Sequence, residues 1–247
     1  MSKILEICAG SLASCVAAQE GGAQRVELCD NLGEGGTTPS YGTLAMARGK
    51  LDIKLHAIIR PRGGDFLYST LEFDAMAHDV EVCRSLGLDG VVLGLLTADG
   101  DIDAARTREL AALAGPMAVT FHRAFDLARD PEQALEDVIA AGCKRLLSSG
   151  QAPSAPQGAA LLSSLREQAG ARLTVMPGAG VRAGNIAELA AASGCSEFHA
   201  SARGMAESGM RYRRCGVGMG APGVDEYARQ ETSAALVREL RDALDRL

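Results

Sequence analysis

Residues 117–147, MAVTFHRAFDLARDPEQALEDVIAAGCKRLL, hold one strand–helix–strand unit and set the reading of the whole chain. The run 117–121 is β-rich, and Asp130 before Pro131 gives a helix N-cap followed by a proline at the first helical position. An Ala-rich stretch over 131–141 then carries helical periodicity up to Gly142, and 145–147 is again β-rich. Glycine accepts the left-handed conformation that ends a helix without a Cβ clash, so Gly142 reads as a stop.

The same unit recurs in both directions. Strands are predicted over 3–7, 25–28, 54–59 and 90–93, then 117–121, 145–147, 172–176 and 197–200. Helical patterns lie between them, as over 11–20, 71–86, 104–114, 131–141 and 185–192. Glycine stops stand at Gly21-Gly22, Gly87, Gly115, Gly142, Gly170 and Gly194. Strands alternating with helices imply a parallel sheet with crossover helices. Eight units with no change of composition favour one closed (β/α)8 barrel spanning 1–247, ended by a helix over 224–247. Two segments break the rhythm: the loop 60–70 and the Gly-, Met- and Arg-rich stretch 204–223.

Composition narrows the function classes. The 247 residues are 47% hydrophobic and only 4% aromatic, with a net charge of −6 spread along the chain. A mildly acidic surface argues against nucleic acid or a membrane surface as partner. No export signal is read at the N-terminus, and no apolar run approaches a membrane span, so a cytoplasmic location is expected. Seven scattered cysteines without any C-x-x-C pair are expected to be reduced thiols, which argues against a disulfide framework or a structural zinc site.

Period two along each strand separates an outer aliphatic face from an inner one. The inner face collects Glu6 with Cys8, Glu27 with Cys29, His56 with Arg60, Thr120 with His122, and Glu197 with His199 and Ser201. His78 falls on a helix and reads as a rim residue. Charged groups converging on the C-terminal strand ends predict a polar mouth, where barrel enzymes keep their sites.

Several motifs carry chemistry. Arg60 and Arg62, on a glycine-flexed loop with Phe66 and Tyr68 as a lid, suit a clamp for a carboxylate or phosphate, and Glu27 is the obvious partner for Arg60. His122 suits proton transfer, with Asp126 orienting it or Arg123. Backbone and hydroxyl groups of Ser148, Ser149, Gly178, Ala179 and Gly180 suit an anion, joined by Arg123, His199 and Ser201. Glu6 or Glu27 would serve as the acid, since neighbouring carboxylates raise one another's pKa. Cys8 and Cys29 end adjacent strands, and two soft thiolates near a third ligand suit Cu(I).

These motifs resemble those of the CutC family. The likeness runs through LEIC (5–8), GAQRVELC (22–29), EGGTTPS (34–40), residues 58–66, VTFHRAFD (119–126), LSSG (147–150), GAGVR (178–182) and MRYR (210–213), nearly the whole chain. The resemblance implies a cytoplasmic TIM-type barrel associated with copper homeostasis and Cu(I) binding. Some members carry two adjacent cysteines after the first strand; here Ala9 follows Cys8, so a cysteine-based copper site must pair Cys8 with Cys29. Two readings stand at this point: copper handling, or an enzyme acting on a small anionic metabolite. A homo-oligomer, dimer or tetramer, is expected.

Overall fold

The computed structural model describes residues 3–214, 216–218 and 225–247. Eight parallel strands form a nearly closed barrel: β1 (Ile4–Ala9), β2 (Arg25–Leu28), β3 (Lys54–Ile58), β4 (Gly90–Leu93), β5 (Ala118–Phe121), β6 (Arg145–Ser148), β7 (Thr174–Pro177) and β8 (Glu197–Ala200). The ladder runs β7-β6-β5-β4-β3-β2-β1-β8, and β7 lies beside β8 at the seam. Around it stand α1 (Leu12–Glu20), α2 (Tyr41–Arg48), α3 (Thr70–Ser85), α4 (Ala104–Ala114), α5 (Pro131–Ala140), α6 (Ala159–Ala169) and α7 (Ile186–Ser193). This is the (β/α)8 barrel predicted from the alternation.

Local signals act where the sequence put them. Asp130 accepts from the backbone N–H groups of Glu132 and Gln133 to start α5. Ser69 and Glu72 cap each other's backbone to start α3. Gly142 has φ +95°, a conformation that a side chain would strain.

The C-terminal part differs from expectation. The closing helix is α8 (Ala234–Asp245), shorter than 224–247, and Val224 lies outside the described residues. Ahead of it, β9 (Arg203–Glu207) pairs antiparallel with β10 (Ala228–Thr232), joined to α1 where Thr232 N donates to Ser14 Oγ. Residues 203–207 and 228–232 carry no alternating apolar face, so no strand signal is present. Residues 215 and 219–223 of the irregular stretch are likewise outside the described residues.

The outward strand residues, such as Leu5, Ile7, Val26, Leu28, Leu55 and Val91, pack with Met76, Leu110, Leu135, Leu165 and Leu189 of the helices into one core. The barrel interior is of another kind. Aliphatics fill the interior of most such barrels; here Glu6, Arg25, Glu27, His56 and Thr120 are buried there beside Ile58, Val92, Leu147 and Met176.

His56 shows what that interior asks of a titratable group. Burial pushes its pKa down to about 4, and Gly90 on β4 leaves room for its ring, since a Cβ there would lie 2.6 Å from it. His122 is pushed down to about 3, also by burial first. Both are neutral when folded but take a proton near pH 6.5 when unfolded, so stability falls as pH drops from 6.5 toward 4. Glu27 opposes them: burial first, then the charge of Cys8, raises its pKa to about 8, which costs stability as pH rises toward that value. Two histidines against one carboxyl leave a net loss on acidification. The urea midpoint should therefore drop between pH 6.5 and 4.5, and His56→Gln should flatten that drop; an unchanged slope would contradict this account of His56.

Candidate functional site

The floor of the mouth is a chain of charges. Arg25 Nε donates to Glu6 and its Nη2 to Glu197, while Arg145 Nε donates to Glu197 at 2.6 Å. Arg25 Nη2 also meets Met176 Sδ at 3.3 Å. Glu6 reaches upward as well, with Oε1 at 2.7 Å from His199 Nδ1. Burial would raise its pKa, but the Arg25 charge and the His199 hydrogen bond outweigh it and hold the carboxyl well below its ordinary range. Glu6 is thus an ionised strut, not the proton donor anticipated from the sequence. Arg25 and Arg145 went unremarked in the sequence, although period two places Arg25 beside Glu27 on β2.

Above this floor opens a cavity of about 1010 Å³ at the C-terminal strand ends. Its lining includes Cys8, Glu27, Cys29, Arg60, His122, Arg123, Asp126, Ala179, Gly180, His199 and Ser201. Glu6, Arg62, Ser148, Ser149 and Gly178 are absent from that lining.

Cys8 and Cys29 come together as their strand positions suggested, with Sγ atoms 3.8 Å apart. The donor atoms of Cys8, Glu27 and His199 lie within 4.8 Å of one another, so Cys8 is the hinge of the group. His199 Nε2 stands 3.7 Å from Glu27. The Cys29 thiol hydrogen bond, helped by His199 against the cost of burial, holds the Cys8 pKa well below that of a free thiol. Cys29 is raised well above it, by the Cys8 contact first and burial second. Burial alone would lower the pKa of His199, yet Cys8, Glu6 and Glu27 overcome it and keep the ring protonated well above its ordinary range. Elsewhere burial pushes Cys15, Cys83 and Cys143 up to about 12, leaving inert thiols.

The anion clamp takes a different form from the one read in the sequence. Arg60 is not paired with Glu27; its Nη1 donates to the carbonyls of Glu34 and Gly36 at 2.7 and 2.9 Å, and its Nη2 to Gly64 O at 2.8 Å. Arg62 points away and is held by Glu72 at 2.5 Å and Asp65 at 3.0 Å. Asp126 does not orient His122. It accepts from Arg123 Nε at 2.7 Å, Ser148 Oγ at 2.6 Å, Ser149 Oγ at 2.8 Å and the Ser149 amide, so those serines serve the loop and not a ligand. Gly178 donates its N–H to Ser148 O and has no room for a Cβ, which would meet Leu147 Cδ1 at 2.4 Å. Ala179 and Gly180 follow with φ of +78° and +72° at the cavity edge. Arg182 and Arg203 also line the cavity and had no role in the sequence reading.

Among the described residues, no helix is long and apolar enough to cross a membrane. A chain of Chromobacterium violaceum described as a CutC family protein is 87% identical over 246 residues, covering 100% of both chains. Another from Bacteroides thetaiotaomicron, described likewise, is 52% identical over 234 residues, 94% of each chain. The crystal structure of a candidate copper homeostasis protein CutC from Streptococcus agalactiae is similar with a TM-score of 0.77 and 33% identity, covering 80% of this chain and 97% of that one. The CutC family model matches residues 3–204, and with these relatives it shows that the chain belongs to the CutC family.

Proposed function

We propose that this chain is a copper-handling protein whose cargo, Cu(I), is held by Cys8 and Cys29 with His199 as third ligand. The observation that carries this is the pair of sulfurs 3.8 Å apart at the wall of an open cavity. Two sulfurs each about 2.3 Å from one ion, the spacing seen for zinc, span at most about 4.6 Å, so the pair fits a shared metal. Soft sulfur donors select Cu(I) over hard cations. Cys8 already favours the thiolate that a metal requires, while Cys29 and His199 would each have to give up a proton. Glu6 then has a supporting role, since its bond to Nδ1 leaves Nε2 as the nitrogen turned toward Cys8 and Glu27. The relative from Streptococcus agalactiae, described in terms of copper homeostasis, supports the same reading.

The test is anaerobic Cu(I) titration against a competing chelator, comparing the wild type with Cys8→Ser and Cys29→Ser. One tightly held ion in the wild type, weakened in both variants, is expected. Equal affinity in all three would remove these cysteines from the account.

A further inference from the structure

One wall of the cavity carries chemistry that a copper ion on Cys8 does not use. Arg60 follows β3 and His122 follows β5; both line the cavity, with only 4% and 5% of their surface exposed. The Nη atoms of Arg60 are taken by three loop carbonyls, which fix the guanidinium plane; its Nε–H makes no hydrogen bond of good geometry among the described residues, and the buried Tyr68 hydroxyl that interacts with this guanidinium is likewise left unpaired. His122 Nδ1 accepts from the Ala124 N–H at 3.1 Å, which assigns the ring proton to Nε2. That N–H also has no acceptor among the described residues.

Phe66 packs against both side chains. Its ring centroid lies 5.0 Å from Arg60 Cζ and 5.1 Å from the His122 ring centre. Buried donors left unpaired are costly, and two beside one ring call for an acceptor. Among the described residues no carboxylate makes an ion pair with Arg60, or with Arg182 or Arg203, although Asp126, held by Arg123, and Glu239 line the same cavity. A volume of about 1010 Å³ is that of a molecular ligand rather than of an ion.

We propose that Arg60 and His122 form a subsite for the oxyanion of a small organic ligand, a carboxylate or a phosphate, reached when Phe66 swings off the two donors. Arg60 supplies the charge and one N–H; His122 supplies a neutral N–H and transfers no proton. The subsite does not depend on the copper reading.

Four histidines make it testable by imidazole ¹H–¹⁵N spectra of the full chain, titrated with inorganic phosphate and with malonate at constant ionic strength. A saturable shift of the His122 Nε2 signal is expected with at least one probe; phosphate alone or malonate alone identifies the headgroup. His122→Gln should weaken binding about tenfold, the worth of one well-placed hydrogen bond. Phe66→Ala should tighten it by several-fold, because the covered state no longer competes. This second variant keeps both donors, so it decides the matter even if His122→Gln does not fold. Cu(I) titration of the same protein is read separately, so loss of anion binding with copper binding intact, or the reverse, separates a failure here from a failure of the copper site. No saturable shift with either probe, or unchanged or weaker binding in Phe66→Ala, would overturn the proposal.

Discussion

Glu6→Ala is expected to lower the free energy of unfolding by about 3–5 kcal/mol, the cost of stripping one partner from a buried ion pair. Glu6 is fully buried, and its carboxylate is the counter-charge of Arg25 Nε. Without it, Arg25 and Arg145 must share Glu197, and His199 loses its Nδ1 partner. Arg25 is buried and Arg145 only slightly exposed, so neither guanidinium is well solvated. Removing both members of the pair should cost less than removing one, since Glu197 keeps Arg145 and no guanidinium is stranded. Urea unfolding of Glu6→Ala, Arg25→Met and Glu6→Leu/Arg25→Met measures this directly. A loss below about 1 kcal/mol in Glu6→Ala, a value typical of a surface pair, would show that the floor is not the strut described here.

Cys8→Ser is expected to weaken Cu(I) binding by about 100-fold or more, because loss of a ligand must exceed the 10–100-fold cost of disturbing a residue behind one. Cys8 is the only sulfur of the described group that meets both Cys29 and the Glu27–His199 pair. A serine oxygen is a hard donor and stays protonated, so it replaces neither the charge nor the softness. Cys29 meets Cys8 and Glu27 but lies outside the group that includes His199, so Cys29→Ser should cost less. Competition against a chelator of known Cu(I) affinity reads both values. A larger loss in Cys29→Ser would reverse the order of the two ligands.

The barrel was legible because each strand writes two messages in one run. Leu5 and Ile7 alternate with Glu6 and Cys8, and Val26 and Leu28 with Glu27 and Cys29, so the outer core and the inner polar set separate by parity alone. Parity fails where the strand ends. Arg60, two residues past β3, still faces the cavity, but Arg62 turns outward to Glu72 and Asp65. Partner choice in loops was not legible either. Glu27 looked like the natural counter-charge for Arg60, yet the carbonyls of Glu34, Gly36 and Gly64 fold over its guanidinium, an arrangement that no side-chain pattern encodes. Asp126 likewise serves Arg123 and two serines because residues 123–127 form a tight 3-10 turn that carries it away from His122. The Arg25–Glu197–Arg145 chain links β2, β8 and β6, strands far apart in sequence, and becomes visible only once the sheet curls.

Whether Cu(I) is held on the paired sulfurs of the mouth can be read from its ligand shell. X-ray absorption at the copper edge of the Cu(I)-loaded chain, prepared without oxygen, tests it most directly. The account predicts two sulfur neighbours and one nitrogen in the wild type, falling to one sulfur in Cys8→Ser or Cys29→Ser. A copper environment of nitrogen and oxygen alone, or a sulfur count that neither substitution changes, would contradict it.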